Sequence, residues 1–285
     1  MVMGQEALPA GTSVPAIRMP ALACDCHFHI YDARFPYEET AALKPPHNTN
    51  ASCLALRHRL GLSRGVVVQP TSFGVDNRPT LLAVQEQGAS HTRAVVVIDA
   101  SVTDAHLQAM HEQGARGIRI NAARGTRFDL QATEQLVHRI KDLGWHLDLH
   151  VQEEDLTGLS PWLQRLPVPV VLDHFARVSL QAPQHTALLN LLDTGKVWVK
   201  LSAPYLVCSA EEPLAEALGE FVRPLLAQYA ERLLWGSDWP HPGLTAKGLP
   251  TPDLQSLLNA LASWCPSEET LQQVLAHNPG CFYDF

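Results

Sequence analysis

Two runs of three valines, Val66-Val67-Val68 and Val95-Val96-Val97, decide the fold class of this chain. Apolar and polar residues do not alternate in either run, as expected for a strand of a parallel sheet that is covered on both faces. Each run is followed by a stretch of helical periodicity, near residues 76–89 and 103–113. A strand followed by a helix is the repeating unit of α/β sheets and barrels.

The same alternation continues in both directions along the chain. The strand candidates are 23–31, 64–70, 92–99, 115–121, 145–151, 169–175, 197–202 and 232–238. The helix candidates lie near 50–61, 76–89, 103–113, 130–143, 153–165, 184–195, 211–230, 252–262 and 267–276. Eight strand–helix pairs over about 260 residues predict a single-domain (β/α)8 TIM barrel. A doubly wound open sheet is the alternative, but no strand is followed by its Gly-x-Gly-x-x-Gly phosphate turn.

Composition narrows the class of protein. The chain has 285 residues, 46% of them hydrophobic, and a net charge of −8. That charge argues against a nucleic-acid or anionic-membrane partner, and no apolar run approaches the ~20 residues of a membrane span. Residues 1–22 are rich in Pro and Gly and lack the pattern of a signal peptide, so we expect a flexible arm before a domain at 23–285.

The six cysteines form no Cys-x-x-Cys pair and no zinc-finger spacing. In a chain of this size they indicate buried thiols of a reducing, cytoplasmic protein. The oligomeric state is left open, with a homo-oligomer as one alternative.

Polar residues gather where the predicted strands end, which is where a barrel carries its catalytic groups. His27 and His29 are two residues apart, so they share one face of a strand and can hold one metal or polarise one carbonyl oxygen. The other candidates at strand ends are His150, His174, Asp238 and His241. Each histidine taken singly could be structural, but in a barrel the group would converge on one small volume.

A cluster of arginines follows the fourth strand. Ile118 and Ile120 should face the helices, so Arg119 faces the barrel mouth, with Arg124 and Arg127 on the loop beyond. A buried arginine needs an anion to offset its desolvation, which indicates an anionic substrate. A solvated loop with surface salt bridges is the alternative. Ser72 and Tyr205 follow strands two and seven and are further candidates for contact with a ligand.

Several segments together resemble the amidohydrolase superfamily, and more narrowly its 2-pyrone-4,6-dicarboxylate lactonases and sugar-lactone hydrolases. The resemblance runs from about residue 23 to 279, and the segment after strand eight is its most specific part. The segments that carry it are Asp25-Cys26-His27-Phe28-His29, Val171-Leu172-Asp173-His174, Val197-Trp198-Val199-Lys200 and Trp235-Gly236-Ser237-Asp238-Trp239-Pro240-His241.

The resemblance implies a (β/α)8 barrel that hydrolyses a small anionic lactone. It assigns Asp238 as the general base toward water. His27, His29 and His174 would polarise the lactone carbonyl or hold a metal, and Arg119 and Arg124 would bind substrate carboxylates. Several lactonases of this branch work without a metal, so no cofactor is required by the resemblance. His150 occupies the strand-five position that completes a zinc site in metal-dependent members, so one Zn²⁺ on His27, His29, His150 and Asp238 is the alternative.

Two other functions stay open at this point. His150 keeps a Zn²⁺-dependent decarboxylase of aromatic or muconate-type acids under consideration. A non-catalytic barrel that binds an acidic metabolite is the alternative from another class. Metal content and proton release from a lactone separate the two enzymes.

Overall fold

The computed structural model describes residues 17–122, 129–180, 185–208 and 214–285. Its centre is an eight-stranded parallel sheet in which the strands pair in chain order, so the predicted TIM barrel is confirmed. The strands are β1 (Cys24–Phe28), β2 (Arg64–Val68), β3 (Thr92–Val96), β4 (Ala115–Asn121), β5 (His146–His150), β6 (Val170–Leu172), β7 (Val197–Leu201) and β8 (Leu233–Trp235).

Helices surround the barrel. They are α1 (Asn50–Arg59), α2 (Arg78–Gln87), α3 (Asp104–Glu112), α4 (Leu130–Ile140), α5 (Glu153–Arg165), α6 (Thr186–Leu192), α7 (Leu214–Tyr229), α8 (Pro242–Thr245), α9 (Leu254–Trp264), α10 (Glu268–Gln272) and α11 (Asn278–Phe282). Several of these helices begin at a residue whose side chain caps the helix. At the start of α4, for example, the Asp129 carboxylate accepts a hydrogen bond from the backbone N–H of Ala132. In the described part of the chain, none of these helices has the length and apolar character needed to cross a bilayer.

The valine runs are covered on both faces, as the sequence predicts. Val66 and Val68 belong to the cluster inside the barrel, whereas Val67 belongs to the larger core between strands and helices. Tyr283, near the end of the chain, closes the inner cluster and is fully buried. The interior therefore has an apolar layer at the amino end of the strands and polar residues at the carboxyl end.

The pairing of β1 with β2 shifts register between Asp25 and Phe28. Cys26 lies in the inner cluster, whereas Phe28 packs in the outer core. A bulge of this kind bends a strand and re-aims its side chains. Here it turns His27 and His29 toward the inside of the barrel.

Backbone hydrogen bonds between β1 and the segment after β8 close the barrel. The N–H of Asp238 donates to the carbonyl of His27 at 2.7 Å, and the N–H of His29 donates to the carbonyl of Trp239 at 2.8 Å. This closure places a carboxylate from the end of the chain directly beside two histidines from its beginning.

The segment predicted as a flexible arm, residues 1–22, is described only from residue 17 onward. Ile17 and Met19 pack against the core. Residues 1–16 lie outside the described part of the chain.

Candidate active site

Asp238 and the two histidines of β1 form the centre of the site. The Oδ1 atom of Asp238 lies 3.6 Å from Nε2 of His27 and 3.5 Å from Nε2 of His29. All three side chains are buried. The predicted convergence of these strand ends is therefore present, in a pocket at the carboxyl end of the barrel.

The hydrogen bonding of His29 fixes which nitrogen faces the pocket. Its Nδ1 lies 2.7 Å from the carbonyl oxygen of Val68, which can only accept. Nδ1 therefore carries a proton, and Nε2 is the nitrogen that faces Oδ1 of Asp238. A proton or a cation between Nε2 and Oδ1 offsets the negative charge of the carboxylate.

His27 is held from its other side by ionised groups. Its Nδ1 lies 3.3 Å from Oδ1 of Asp173 and 3.4 Å from Nζ of Lys200. Burial lowers the pKa of His27 to about 4, with the charge of Asp173 opposing that effect and the charge of Lys200 adding to it. His27 is therefore a neutral imidazole at pH 7.

Asp238 is ionised at neutral pH. Burial raises the pKa of its carboxyl group, but a hydrogen bond from His29 and the neighbouring histidines outweigh burial, so the net pKa is lowered. Tyr205 donates its hydroxyl hydrogen to Oδ2, the oxygen that faces away from His27 and His29. The backbone φ of Asp238 is +58°, in the left-handed region, which is a strained conformation of the kind found at functional sites.

A left-handed turn follows β6 and carries His174 into the pocket. Four successive residues have positive φ, from +57° at His174 and Phe175 through +53° at Ala176 to +55° at Arg177. Such backbone costs roughly 1–2 kcal/mol for each residue other than glycine, so packing must hold it. His174 is fixed by a 2.9 Å hydrogen bond between its Nδ1 and Oγ of Ser202.

A buried ionic network lies beneath the site. Lys200 is fully buried and donates to Asp148, and its Nζ lies 3.3 Å from Asp173. Arg119 donates from Nε to Asp173 at 3.2 Å. Burial lowers the pKa of Lys200, but the charges of Asp148 and Asp173 reverse that effect and raise it. Two cations thus balance two carboxylates, which keeps Asp173 ionised beside His27.

The pocket is a cavity of about 140 Å³, a volume suited to a small molecule. β4 and β8 are four strands apart in the barrel, so Arg119 and Asp238 stand on opposite walls. Other residues around it are Tyr31, Leu43, Thr71, Asn121, His150, Arg177 and Leu206. The walls therefore combine one carboxylate with two guanidinium groups, an arrangement that suits an anionic ligand with a reacting centre near Asp238.

One set of donors in the site fits a divalent cation. One nitrogen each of His27 and His29 and one oxygen of Asp238 lie within 4.8 Å of one another. Nε2 of His27 is buried without a hydrogen-bond partner among the described residues, and Asp173 lies behind Nδ1 in the way that carboxylates support metal-binding histidines. His27, Asp173 and His174 form a second such group. His150 belongs to neither group in the described part of the chain, which departs from the predicted zinc set.

The structure places two of the predicted ligand-contacting residues away from the pocket surface. Ser72 is buried and donates its hydroxyl hydrogen to the carbonyl of Leu43, so its neighbour Thr71 and not Ser72 lies on the wall after β2. His241 is buried behind the wall, with its ring against that of Tyr205. Arg124 and Arg127 lie outside the described residues.

Sequence reasoning missed three residues of the site. Asn121 lies two residues after Arg119 on β4, and that spacing alone places both on one strand face. Asp173 lies in one of the segments that carry the resemblance but is assigned no role there, although it contacts His27, Lys200 and Arg119. Arg177 carried no signal in the sequence, because only the left-handed turn after β6 brings it to the pocket wall.

Comparison with known proteins gives relatives along nearly the whole chain. The 2-pyrone-4,6-dicarboxylate hydrolase of Comamonas testosteroni is 31% identical over 96% of this chain and 94% of its own. The 4-sulfomuconolactone hydrolase of Hydrogenophaga intermedia is 32% identical over 92% and 88%. A solved structure of an Agrobacterium tumefaciens protein superposes with a TM-score of 0.84 at 27% identity, covering 95% of this chain and 98% of the other.

The family model described as amidohydrolase matches residues 24–285, which is the entire barrel with its closing segments. The protein belongs to the amidohydrolase family.

Proposed function

We propose that this protein is a lactone hydrolase that opens a small anionic cyclic ester, with 2-pyrone-4,6-dicarboxylate or a related sugar or dicarboxylate lactone as substrate. The observation that carries the proposal is the ionised Asp238, which points Oδ1 at His27 and His29 in a pocket whose far wall holds Arg119. The two hydrolases compared above act on lactones with anionic substituents, as their names state.

Asp238 serves as the general base. A water molecule near Oδ1 attacks the carbonyl carbon of the lactone, and Asp238 takes its proton. The carbonyl π electrons move onto the carbonyl oxygen to give a tetrahedral oxyanion. When that oxyanion collapses, the ring C–O bond breaks, and the leaving oxygen receives the proton. The product is a ring-opened acid, and the net change is the addition of one water.

His174 can stabilise the oxyanion. Burial and the neighbouring His150 lower its pKa well below the ordinary histidine value, so its ring is neutral. When Ser202 donates to Nδ1, the ring proton lies on Nε2 and is available to the carbonyl oxygen. A single donor of this kind contributes about 3–4 kcal/mol to transition-state stabilisation in comparable sites.

His27, His29 and Asp238 would hold a divalent cation if one is used. When bound there, the cation acts as a Lewis acid toward the lactone carbonyl. Elemental analysis of the purified protein, followed by assay after chelator treatment, decides between the metal-free and the Zn²⁺ form of the enzyme.

We place the enzyme in the cytoplasm. None of the six cysteines, all of which lie in described segments, forms a disulfide, which suits a reducing compartment. Cys24, Cys26 and Cys53 are buried as predicted. Cys208 and Cys265 are half-buried and Cys281 is exposed, so the expectation of uniformly buried thiols was wrong for those three.

A panel of lactones tests the function. 2-Pyrone-4,6-dicarboxylate, 4-sulfomuconolactone and an aldonolactone are each incubated with the protein, and proton release and loss of ring absorbance are followed. Stoichiometric proton release with a ring-opened product supports the proposal. Release of CO₂ from an aromatic or muconate-type acid, with no lactone opened, would assign the decarboxylase instead.

A further inference from the structure

Asp25 joins the backbone of β1 to the segment that follows β8. Its side chain is buried, and Oδ1 accepts a hydrogen bond from the N–H of His27 at 3.1 Å and another from the N–H of Ser237 at 2.9 Å. Cys24 and Cys26 lie in the inner cluster, so alternation along the strand directs Asp25 to the outer face of the barrel. Asp25 therefore does not line the pocket, but it holds the backbone beside the reacting centre.

The junction of β1 with β8 differs from the rest of the barrel. Each consecutive pair of strands from β1 to β8 forms a parallel ladder, whereas the described residues show a single bridge at this junction, between Phe28 and Trp239. The two segments nevertheless touch, since a β carbon added at Gly236 would lie 2.5 Å from Cβ of His27. Buried backbone N–H groups at such a place need acceptors other than a ladder, and Asp25 supplies one.

The register shift of β1 includes the residues next to Asp25. A bulge disrupts the ladder and leaves the extra residue unpaired. The N–H of His27 lies within the shifted stretch between Asp25 and Phe28, and it donates to Oδ1 of Asp25. The Asp25 carboxyl group thus supports the bulge that turns His27 and His29 toward the inside of the barrel.

Asp238 is fixed in place through the residues on either side of it. Asp25 holds the N–H of Ser237, and the Ser237 hydroxyl accepts from the N–H of Trp239 at 3.0 Å and lies 3.5 Å from the carbonyl oxygen of His27. The left-handed backbone of Asp238 is unfavourable for a residue other than glycine, so these neighbouring bonds must hold it. Loss of the acceptor on Asp25 would release Ser237 and let the carboxylate of Asp238 move.

We propose that Asp25 is a positioning residue, whose carboxyl group sets the approach of Asp238 to the imidazoles of His27 and His29. It lies outside the pocket and exchanges no proton with the substrate. An acceptor needs lone pairs in the right place and no charge. The predicted effect on rate rests on the proposed lactonase function, whereas the predicted effect on the backbone does not.

Kinetics of two variants test this role. Asp25→Leu has a similar size and no acceptor, whereas Asp25→Asn keeps an oxygen at the Oδ1 position. With the lactone on which the wild type is active, kcat of Asp25→Leu should fall roughly 10- to 100-fold, because a displacement of about 1 Å misaligns the base. KM should change by less than about 3-fold, and kcat of Asp25→Asn should stay within about 3-fold of the wild type. An unchanged kcat in Asp25→Leu, or equal falls in both variants, would overturn the proposal.

A matched control separates positioning from a general loss of stability. Asn278 is buried, and its Nδ2 donates to the carbonyls of Ala230 and Leu233 at 2.7 Å, so it joins α11 to the amino end of β8. Asn278→Leu should lower stability but leave kcat unchanged when kcat is expressed per folded molecule, with the folded fraction taken from near-ultraviolet circular dichroism. A fall in this kcat as large as in Asp25→Leu would overturn the proposal.

A second variant replaces Asp25→Leu if that protein does not fold. In Asp25→Gln the amide oxygen lies one methylene further from the backbone than in Asp25→Asn, so it cannot hold His27 and Ser237 at their present positions. The kcat of Asp25→Gln should therefore be lower than that of Asp25→Asn by at least about 10-fold. Equal kcat values in the two variants would overturn the proposal.

Amide hydrogen exchange tests the positioning without a substrate. The N–H groups of Asp238 and His29 bond across the junction, and they should exchange at least about 10-fold faster in Asp25→Leu, or in Asp25→Gln where that is the folded variant, than in the wild type. The reference is the N–H of Leu147, which donates to the carbonyl of Pro169 at 3.0 Å and should exchange as in the wild type.

The exchange result also separates the two proposals. Faster exchange at the junction in a protein whose wild type opens no lactone would reject the lactonase function and retain the positioning role of Asp25. Unchanged exchange at the junction, or an equal increase at Leu147, would overturn the positioning role and leave the lactonase function standing if the wild type opens a lactone.

Discussion

Tyr205 donates its hydroxyl hydrogen to one oxygen of Asp238, while the other oxygen of the same carboxylate faces Nε2 of His27 and of His29. The two oxygens of Asp238 therefore have different environments. Oδ2 is anchored, and Oδ1 lies where it can take a proton from water. This division explains why a carboxylate in a strained left-handed conformation is held in one orientation.

Asp238→Asn should lower turnover strongly without abolishing ligand binding. The amide cannot take a proton from water, so kcat should fall roughly 100- to 10,000-fold, the usual contribution of a general base. The measurement is steady-state kinetics with the lactone on which the wild type is active, together with calorimetry using an unreactive dianion. Asp76→Asn, which changes a carboxylate outside the pocket, is the control. Undiminished turnover in Asp238→Asn would reject Asp238 as the general base.

Tyr205→Phe should lower kcat by roughly 10-fold, because Asp238 loses the hydrogen bond that anchors Oδ2. Loss of a bond that favours the charged carboxylate also raises its pKa, so the acidic limb of the rate profile should move to higher pH. The matched control is Tyr229→Phe, since the Tyr229 hydroxyl donates to Asp193 at 2.6 Å far from the pocket. If both variants show the same profile as the wild type, the bond from Tyr205 does not orient the base.

Lys200→Met should destabilise the fold by about 3–5 kcal/mol, because removal of one member of a buried ion pair leaves its partner uncompensated. Asp148 and Asp173 would then share the barrel interior with too little positive charge. Chemical denaturation at pH 7 measures the free energy of unfolding. Lys196→Met, at an exposed position shortly before it on the chain, should change that free energy by less than about 0.5 kcal/mol. Equal stability of the two variants would contradict the importance of the network.

His241 should make stability depend on pH below neutrality. Burial lowers its pKa to about 4, and the charge of Asp238 opposes this only in part. The unfolded chain has a histidine pKa near ~6.5, so between these values the unfolded state binds the extra proton. The stability that the neutral His241 contributes to the folded state is fully present above about pH 6.5. It is lost as the pH falls toward about 4, and the free energy of unfolding then decreases by at most roughly 3 kcal/mol.

The measurement for this pH effect is denaturant unfolding at pH 7 and pH 4.5 for the wild type and His241→Gln. Glutamine does not titrate, so the variant should lose less stability than the wild type over this interval. Parallel losses would show that His241 is protonated equally in the folded and unfolded states.

The barrel could be predicted from the sequence because its signals are local. Apolar runs such as Val66-Val67-Val68 indicate strands that are buried on both faces. Each run is followed along the chain by a segment with helical periodicity. The alternation on β5 is a signal of the same kind, because His146, Asp148 and His150 alternate with Leu147 and Leu149, which pack in the outer core. That pattern needs no knowledge of distant residues.

The tertiary structure alone decided what these side chains do once they meet. The bulge in β1 and the closure bonds from Asp238 and Trp239 set the approach of the carboxylate to His27 and His29, and both depend on contacts between opposite ends of the chain. The left-handed turn that carries Arg177 has an unfavourable backbone conformation for residues other than glycine. Local sequence preferences therefore do not predict it. Residue type and strand periodicity are signals that extend over only a few positions of the sequence. The environment of a buried charge depends on residues that are distant in sequence and come together only when the chain folds.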